Sequence, residues 1–434
     1  MNIVMVGTGY VGLISGLGFA EFGFNVTCID KDNDRLRKLS QNIMPIYEPG
    51  LTELFKKHYV NTKRIKLTSD YSSSLSKADV VFITVGTPSR RIDDEADLTD
   101  VYSVADEIAS NIKKYCLIVT KSTVPVGTSR KIKEIISKKV DKNLFEVASN
   151  PEFLREGSAI DDFLRPDRVV IGVETKRGEK ILKLLYRPLY VSETPIVSTN
   201  IETAEIIKYS SNSFLATKIT FINEVANLCE KVGANVQDVS RAMGLDRRIG
   251  SKFLHAGPGF GGSCFPKDIK AFSKTAKKYD VPLSLVDAVN LSNKERPELL
   301  AKKITSYYSS NIKGLNFSLL GLSFKPNTDD IRDSTSIIIG NILIKLGANI
   351  FAYDPKAMAN TQKLYPAYNF ADDPYSACKN VDGVIICTEW NEFRALNIAK
   401  LTSIVKRAIM FDLRNLYNQT EMESLGWEHV SVGR

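Results

Sequence analysis

The sequence predicts an α/β protein: two doubly wound parallel sheets joined by a long central helix and a helical domain. Three observations carry this. Near the N-terminus the strand-like runs "NIVMV", "NVTCID", "DVVFITV", "CLIVTKS" and "FEVASN" are separated by helical segments, the pattern of a parallel sheet covered on both faces. The strand–turn–helix–strand theme returns near the C-terminus, where "GANIFAYDP" follows "NFSLLGLSF" much as "GFNVTCID" follows "NIVMV". Between the two lies a long stretch, from about Thr203 to Val232, that is apolar on more than one face.

The totals suit such a chain. Its 434 residues exceed one hydrophobic core. A composition that is 43% hydrophobic and 25% charged is that of a globular protein, not a disordered one. The net charge of +8 is scattered without a like-charge block, which argues against a nucleic-acid arm and fits small anionic ligands. Cysteines stand at 28, 116, 229, 264, 378 and 387 with no CxxC spacing, so neither a zinc site nor a disulfide framework is expected. The start "MNIVMVGTGYVG" shows no charged leader, and no apolar run reaches about 18 residues. A reducing cytoplasm is the expected location.

Taken in order, "NIVMV" is a strand, "GTGYVG" a turn, Leu13 to Gly23 a helix and "NVTCID" a second strand ending in Asp30. The turn matches GxGxxG at Gly7, Gly9 and Gly12. The first glycine permits the tight turn, the second lets backbone approach a pyrophosphate, and the third lets helix and strand pack closely. The helix start offers free N–H groups to phosphates. A carboxylate at Asp30 would accept from a ribose 2′-hydroxyl and repel a 2′-phosphate, which favours NAD over NADP although Lys31 and Arg35 stand nearby.

The long helix would span about 45 Å and is closed by Gly233. Ile206, Ile207, Phe214, Leu215, Ile219, Phe221, Ile222, Val225 and Leu228 grease it nearly all round, so it is expected to be buried between domains or subunits and to form part of a dimer interface. The polar stretch Ser309 to Lys313 leads into the second α/β unit, with further strands "GVIICT" and "AIMFDL". That unit lacks a GxGxxG turn, so no dinucleotide is assigned to it. The expected organisation is an N-terminal Rossmann-like domain over 1–200, a helical domain over 201–308 and a second Rossmann-like domain over 309–434.

Two further motifs point to chemistry. "KYSSN" sets Lys208 and Asn212 at i and i+4 on one helix face. The pair either cradles an oxyanion or is an ordinary surface lysine with its neighbour. "GFGGSCFPKD" places Cys264 after Gly259, Gly261 and Gly262 and before Pro266, which suits the first turn of a helix. A thiol there, with Lys267 and Asp268 beside it, is either activated or a small residue in a structural turn. An activated thiol with a nicotinamide site suggests addition to an aldehyde, hydride loss and hydrolysis of a thioester.

The ordered blocks "GTGYVG", "VGTPS", "KSTVPVGT", "NPEFLREG", "KYSSNSFLA", "RIGSKFLHAGPGFGGSCFPKD", "GLSFKPNTDDIRDS" and "FDLRN" resemble the nucleotide-sugar dehydrogenase family over essentially the whole chain. The resemblance implies a four-electron oxidation of a primary alcohol to an acid, with two NAD reduced in turn. UDP-glucose oxidised at C6 to UDP-glucuronate is the expected reaction, with GDP-mannose as the alternative substrate and a β-hydroxyacid dehydrogenase as the more distant one. By resemblance, Cys264 is the nucleophile and Asp268 its acid/base partner. Lys208 and Asn212 stabilise oxyanions, Glu152 is the base for thioester hydrolysis, and Thr123 lies near the catalytic water and the cofactor. Glu156 stands beside the nicotinamide and Arg332 contacts the pyrophosphate, with Tyr10, Val11, Arg35, Thr87 and Lys267 also on the cofactor side. The substrate side comprises Phe153, Leu154, Phe260, Gly261, Lys325 and Arg414, the last holding the UDP. Arg248 reaches the substrate of the neighbouring subunit in a homodimer. The one departure is His255, where some members carry lysine. No membrane or nucleic-acid partner is implied.

Overall fold

The computed structural model describes residues 1–90 and 92–434, which form two compact units. The first comprises Met1–Ser211 with Lys274–Val281, the second Asn212–Ser273 with Pro282–Arg434.

The first unit is built on an eight-stranded sheet of β1 (Asn2–Val6), β2 (Asn25–Ile29), β3 (Ile65–Thr68), β4 (Val80–Ile83), β5 (Cys116–Thr120), β6 (Phe145–Ser149), β7 (Val169–Gly172) and β8 (Ile196–Thr199). Their order is β3-β2-β1-β4-β5-β6-β7-β8. The expected parallel pairing holds except at one step, where β6 meets β7 antiparallel through Ser149 and Gly172. Strands β3, β7 and β8 extend the sheet beyond the runs read from the sequence. Both faces are covered, because β1, β4 and β5 carry apolar side chains in both directions: Met5, Phe82 and Val119 pack into one core, and Val6, Ile83 and Ile118 into the other.

The second unit holds a six-stranded, all-parallel sheet: β9 (Asn316–Leu320), β10 (Asn349–Tyr353), β11 (Asn369–Phe370), β12 (Gly383–Ile386), β13 (Ile409–Asp412) and β14 (Glu428–Ser431), in the order β11-β10-β9-β12-β13-β14. Its opening turn repeats that of the first sheet. Gly7 has φ +101° and donates to the Ile29 carbonyl at 2.8 Å; Gly321 has φ +96° and donates to the Tyr353 carbonyl at 2.8 Å. The acids differ in their duties. Asp354 accepts from the amides of Leu322, Ser323, Lys356 and Ala357, the Ser323 hydroxyl and the Trp390 indole. Six donors leave it little capacity for a ribose, a physical reason to keep a dinucleotide out of this turn.

The long helix runs Ile201–Val232, two residues earlier than the sequence suggests. Its start belongs to the first unit and the rest to the second. In the single chain the helix is buried on one side. Ile222, Ala226 and Cys229 enter the second unit's core, whereas Phe214 and Leu228 are 65% and 61% exposed in the single chain. Among the described residues, no helix is long and apolar enough to cross a membrane.

Candidate active site

In the first unit β1 ends at the glycine turn and the helix Tyr10–Glu21 begins directly after it, with Val11 in its first turn. Each glycine has a separate physical reason. A Cβ on Gly12 would stand 1.8 Å from the Gly7 carbonyl oxygen, so this position closes helix onto turn. A Cβ on Gly9 would meet nothing within 4 Å, so the backbone there faces open space. That bare backbone at a helix start, the donor set a pyrophosphate needs, fits NAD.

Asp30, at the end of β2, is buried. It accepts from the Thr8 amide at 2.7 Å, the Thr8 hydroxyl at 2.5 Å, the Asp32 amide at 2.9 Å and Arg35 Nη1 at 3.0 Å. Burial works to raise its carboxyl, but the Thr8 and Asp32 hydrogen bonds and the Arg35 charge together hold it below the usual carboxylate range. Arg35 is thus a partner of the acid. Thr87 donates to the Thr123 carbonyl at 2.8 Å, which ties the "VGTPS" and "KSTVPVGT" loops together.

The "NPEFLREG" loop follows β6. Glu152 is buried, accepts from the Leu154 amide at 2.5 Å and from Lys208 Nζ at 3.2 Å. Lys208 is itself buried, 5.3 Å from the Phe153 ring centroid; Arg168 stacks on that ring at 3.6 Å. The surface-lysine reading of "KYSSN" is therefore wrong in its premise of exposure. Glu156 is buried in the same loop. A second buried cation, Lys121, lies close by and bonds Asn150 Oδ1 at 3.0 Å and the Tyr186 hydroxyl at 3.2 Å. Burial pushes its ammonium down to about 8, with Glu152 opposing the shift and Lys208 adding to it.

In the second unit Cys264 stands at the start of the helix Phe265–Lys278, and its carbonyl accepts from the Asp268 amide at 2.8 Å. It is the one cysteine of the six that is not buried. Burial raises the thiols of Cys28, Cys116, Cys378 and Cys387 to about 12, which makes them inert. Asp268, buried one helical turn on, accepts from Asn212 Nδ2 at 2.6 Å and from Lys267 Nζ at 2.6 Å. Lys208 and Asn212, one turn apart on the long helix, therefore each hold a buried carboxylate: Glu152 for the first, Asp268 for the second.

The glycines of the thiol loop have a reason other than the expected approach of substrate. A Cβ on Gly261 would lie 2.2 Å from the Asp333 carbonyl oxygen, one on Gly262 2.6 Å from the Phe324 ring, and one on Gly259 2.7 Å from Asn293 Oδ1. The chain itself fills these spaces. Gly262 also donates to the Arg332 carbonyl at 2.8 Å. Lys325 follows Phe324, its ammonium 5.5 Å from that ring. Arg414 donates to the carbonyls of Phe324 at 3.2 Å and Cys387 at 2.7 Å. The loop, Lys325, Arg332 and Arg414 are thus brought together. The Arg332 guanidinium pairs with Asp330 and that of Arg248 with Asp246; the Arg248 side chain is 90% exposed, and His255 is exposed.

Three residues that no motif singled out hold this loop. Asn293 grips both backbone groups of Phe260, accepting from its N–H at 2.8 Å and donating to its carbonyl at 2.9 Å. Asn223 accepts from the Gly257 amide at 2.8 Å, and the buried Arg296 donates to the Gly257 carbonyl at 3.0 Å. Asn223 is a polar residue on the largely apolar long helix, whereas Asn293 and Arg296 stand among other polar residues on the helix Ser284–Tyr307 and carry no such signal.

Comparison with known proteins bears on these sites. Residues 1–190 match the NAD binding domain, 202–295 the central domain and 318–419 the UDP binding domain of the UDP-glucose/GDP-mannose dehydrogenase family. The chain is 50% identical to a UDP-glucose 6-dehydrogenase of Rhizobium meliloti over the whole of both chains. It is 48% identical to a UDP-glucose 6-dehydrogenase of Rickettsia bellii over all of this chain and 99% of that one. The structure of a UDP-glucose dehydrogenase from Pyrobaculum islandicum superposes with a TM-score of 0.90 at 34% identity, covering 97% of this chain and 95% of that one.

Proposed function

Because the chain belongs to the UDP-glucose/GDP-mannose dehydrogenase family, we propose that it oxidises the C6 hydroxyl of UDP-glucose to the carboxylate of UDP-glucuronate through a covalent intermediate on Cys264. The observation that carries this reading is the setting of that thiol. It is partly exposed at a helix start, and the buried Asp268 and Asn212 form one hydrogen-bonded set with the half-buried Lys267 a turn away. Full-length similarity to UDP-glucose 6-dehydrogenases supports the substrate.

The glycine turn and Asp30 would hold NAD, which would supply the hydride acceptor for each oxidation. The residues do the rest. The alcohol loses a hydride and a proton to become the aldehyde. The Cys264 thiolate adds to the aldehyde carbon, and the new oxyanion is held by the Lys208 ammonium and the Asn212 amide before it is protonated. Loss of a second hydride and a proton leaves a thioester. Glu152 then takes a proton from water, hydroxide adds to the thioester carbon, and the thiolate leaves. One water is consumed, and two hydrides pass to two NAD. Asp268 handles protons at the thiol end, Thr123 lies by the water, and Glu156, Thr87 and Arg332 serve the cofactor. Lys325 and Arg414 hold the nucleotide.

We further assign the regions 1–200, 201–308 and 309–434 to cofactor, dimerisation with thiol loop, and nucleotide sugar. Exposed Phe214, Phe221 and Leu228 on the long helix, with Leu285, Leu291 and Leu299 on the helix Ser284–Tyr307, support a homodimer. Arg248, projecting from its own unit, serves the neighbouring subunit's substrate. The six free thiols suit the cytoplasm. The test is an assay of NADH formed per molecule of UDP-glucose, GDP-mannose and other sugar nucleotides. Two NADH from UDP-glucose and none from GDP-mannose are expected. The reverse preference would overturn the substrate assignment.

A further inference from the structure

Glu48 lies in the "PIYEPG" loop, outside every motif used so far, yet it is buried at 5% exposure. Its carboxylate accepts from the Gly157 amide at 2.6 Å, the Ala159 amide at 2.7 Å and the Tyr10 hydroxyl. The Gly157 amide also reaches the Tyr10 oxygen at 3.2 Å, closing a triangle. Tyr10 is the first helical residue of the glycine turn, and Gly157, at φ +81°, directly follows Glu156. Three stretches far apart in sequence thus meet on one carboxylate. Burial of the phenol and its bond to Glu48 raise the Tyr10 hydroxyl well above its ordinary range, so it stays a donor.

A buried carboxylate that bonds no cation among the described residues is a costly way to fill space, and an apolar side chain would serve packing better. What the carboxylate provides is direction: two backbone amides of the Glu156 loop and one phenol of the cofactor turn are held at fixed positions. We propose that Glu48 is a positioning residue that locks the dinucleotide turn to the loop bearing Glu152 and Glu156, so that NAD binding and the placement of those carboxylates are coupled. The proposal rests on NAD occupying the glycine turn.

The test uses the full-length protein and three variants, Glu48→Gln, Tyr10→Phe and the two combined, with NAD affinity by calorimetry, kcat at saturating substrates and Tm measured for each. Glu48→Gln keeps the shape but opposes one amide N–H with its own NH2. Its NAD affinity and its kcat should each fall about tenfold or more, as expected for lost charge-assisted hydrogen bonds. Tyr10→Phe keeps both amide bonds and should lower the same two quantities by a smaller factor. The double variant should be no worse than Glu48→Gln alone. Variants that lose Tm but bind NAD and turn over like the parent would show a structural brace and overturn the proposal. If Glu48→Gln does not fold, unchanged NAD affinity and kcat in Tyr10→Phe overturn it. Failure of the parent protein to bind NAD would instead sink the cofactor reading on which the proposal rests.

Discussion

Replacing Lys121 with Met should remove a contribution to stability that rises with pH above about 8. The lysine is buried, bonded to the neutral Asn150 and Tyr186, and faces the charges of Glu152 and Lys208. Burial lowers its pKa from 10.5 to about 8. At pH 7 the folded and unfolded chains both keep the proton, so the penalty of burying the ammonium is fully present. Above pH 8 the native state releases the proton while the unfolded state holds it until about 10.5. The unfolded state then binds more protons, and stability rises with pH through that window. At about 1.4 kcal/mol per pH unit, the full traverse is worth about 3 kcal/mol. Urea unfolding followed by circular dichroism, run in parallel on parent and Lys121→Met from pH 7 to 10, reports this contribution together with its coupling to Glu152 and Lys208, because groups remote from Lys121 cancel in the difference. The parent should gain about 2–3 kcal/mol on the variant across that range. A flat difference, or a parent that loses ground, would refute the buried-cation argument.

Other outcomes are as definite. Cys264→Ser should end formation of the acid while the protein still binds NAD; normal UDP-glucuronate production by it would remove the covalent step. The parent should use NADP poorly, because buried, ionised Asp30 repels a 2′-phosphate, and Asp30→Ser should narrow the NAD-to-NADP ratio of kcat/KM. Equal turnover of both cofactors by the parent would contradict the role given to Asp30. Asn293→Ala strips both backbone partners from Phe260, about 2 kcal/mol of local anchoring, and should lower kcat with NAD affinity unchanged. An unaltered kcat would mean the thiol loop needs no such clamp.

Much of this was legible in the sequence because its signals are local. Gly7, Gly9, Gly12 and Asp30 lie on one strand–turn–helix–strand unit, and Cys264 and Asp268 on one helical turn. Their spacing in the chain is nearly their spacing in the structure. The i, i+4 separation of Lys208 and Asn212 also survives folding unchanged, but their burial against Glu152 and Asp268 does not show in a helix pattern. Glu48 was illegible for the opposite reason: its three donors come from Tyr10, Gly157 and Ala159, and nothing near residue 48 announces them. Asn293 and Arg296 face the thiol loop across 33 and 39 residues of chain. The glycines of "GFGGSCFPKD" are legible as sites of close approach, but the chain's own Asp333, Phe324 and Asn293, which a Cβ there would meet, come from distant segments that the loop's sequence does not announce. Strand β8 carries only partly buried or exposed side chains and β3 a single buried one, so both lack the continuous apolar run that marks β4 and β5.

The central claim is that the sugar is held on Cys264 as a thioester that Glu152 helps water to break. Glu152→Gln, mixed with UDP-glucose and excess NAD, should form NADH in a burst and then stall. Mass spectrometry of the stalled protein should find the peptide carrying Cys264 heavier by the acyl group of the oxidised nucleotide sugar. One NADH per free aldehyde, or two NADH per free acid, with Cys264 unmodified would contradict the account.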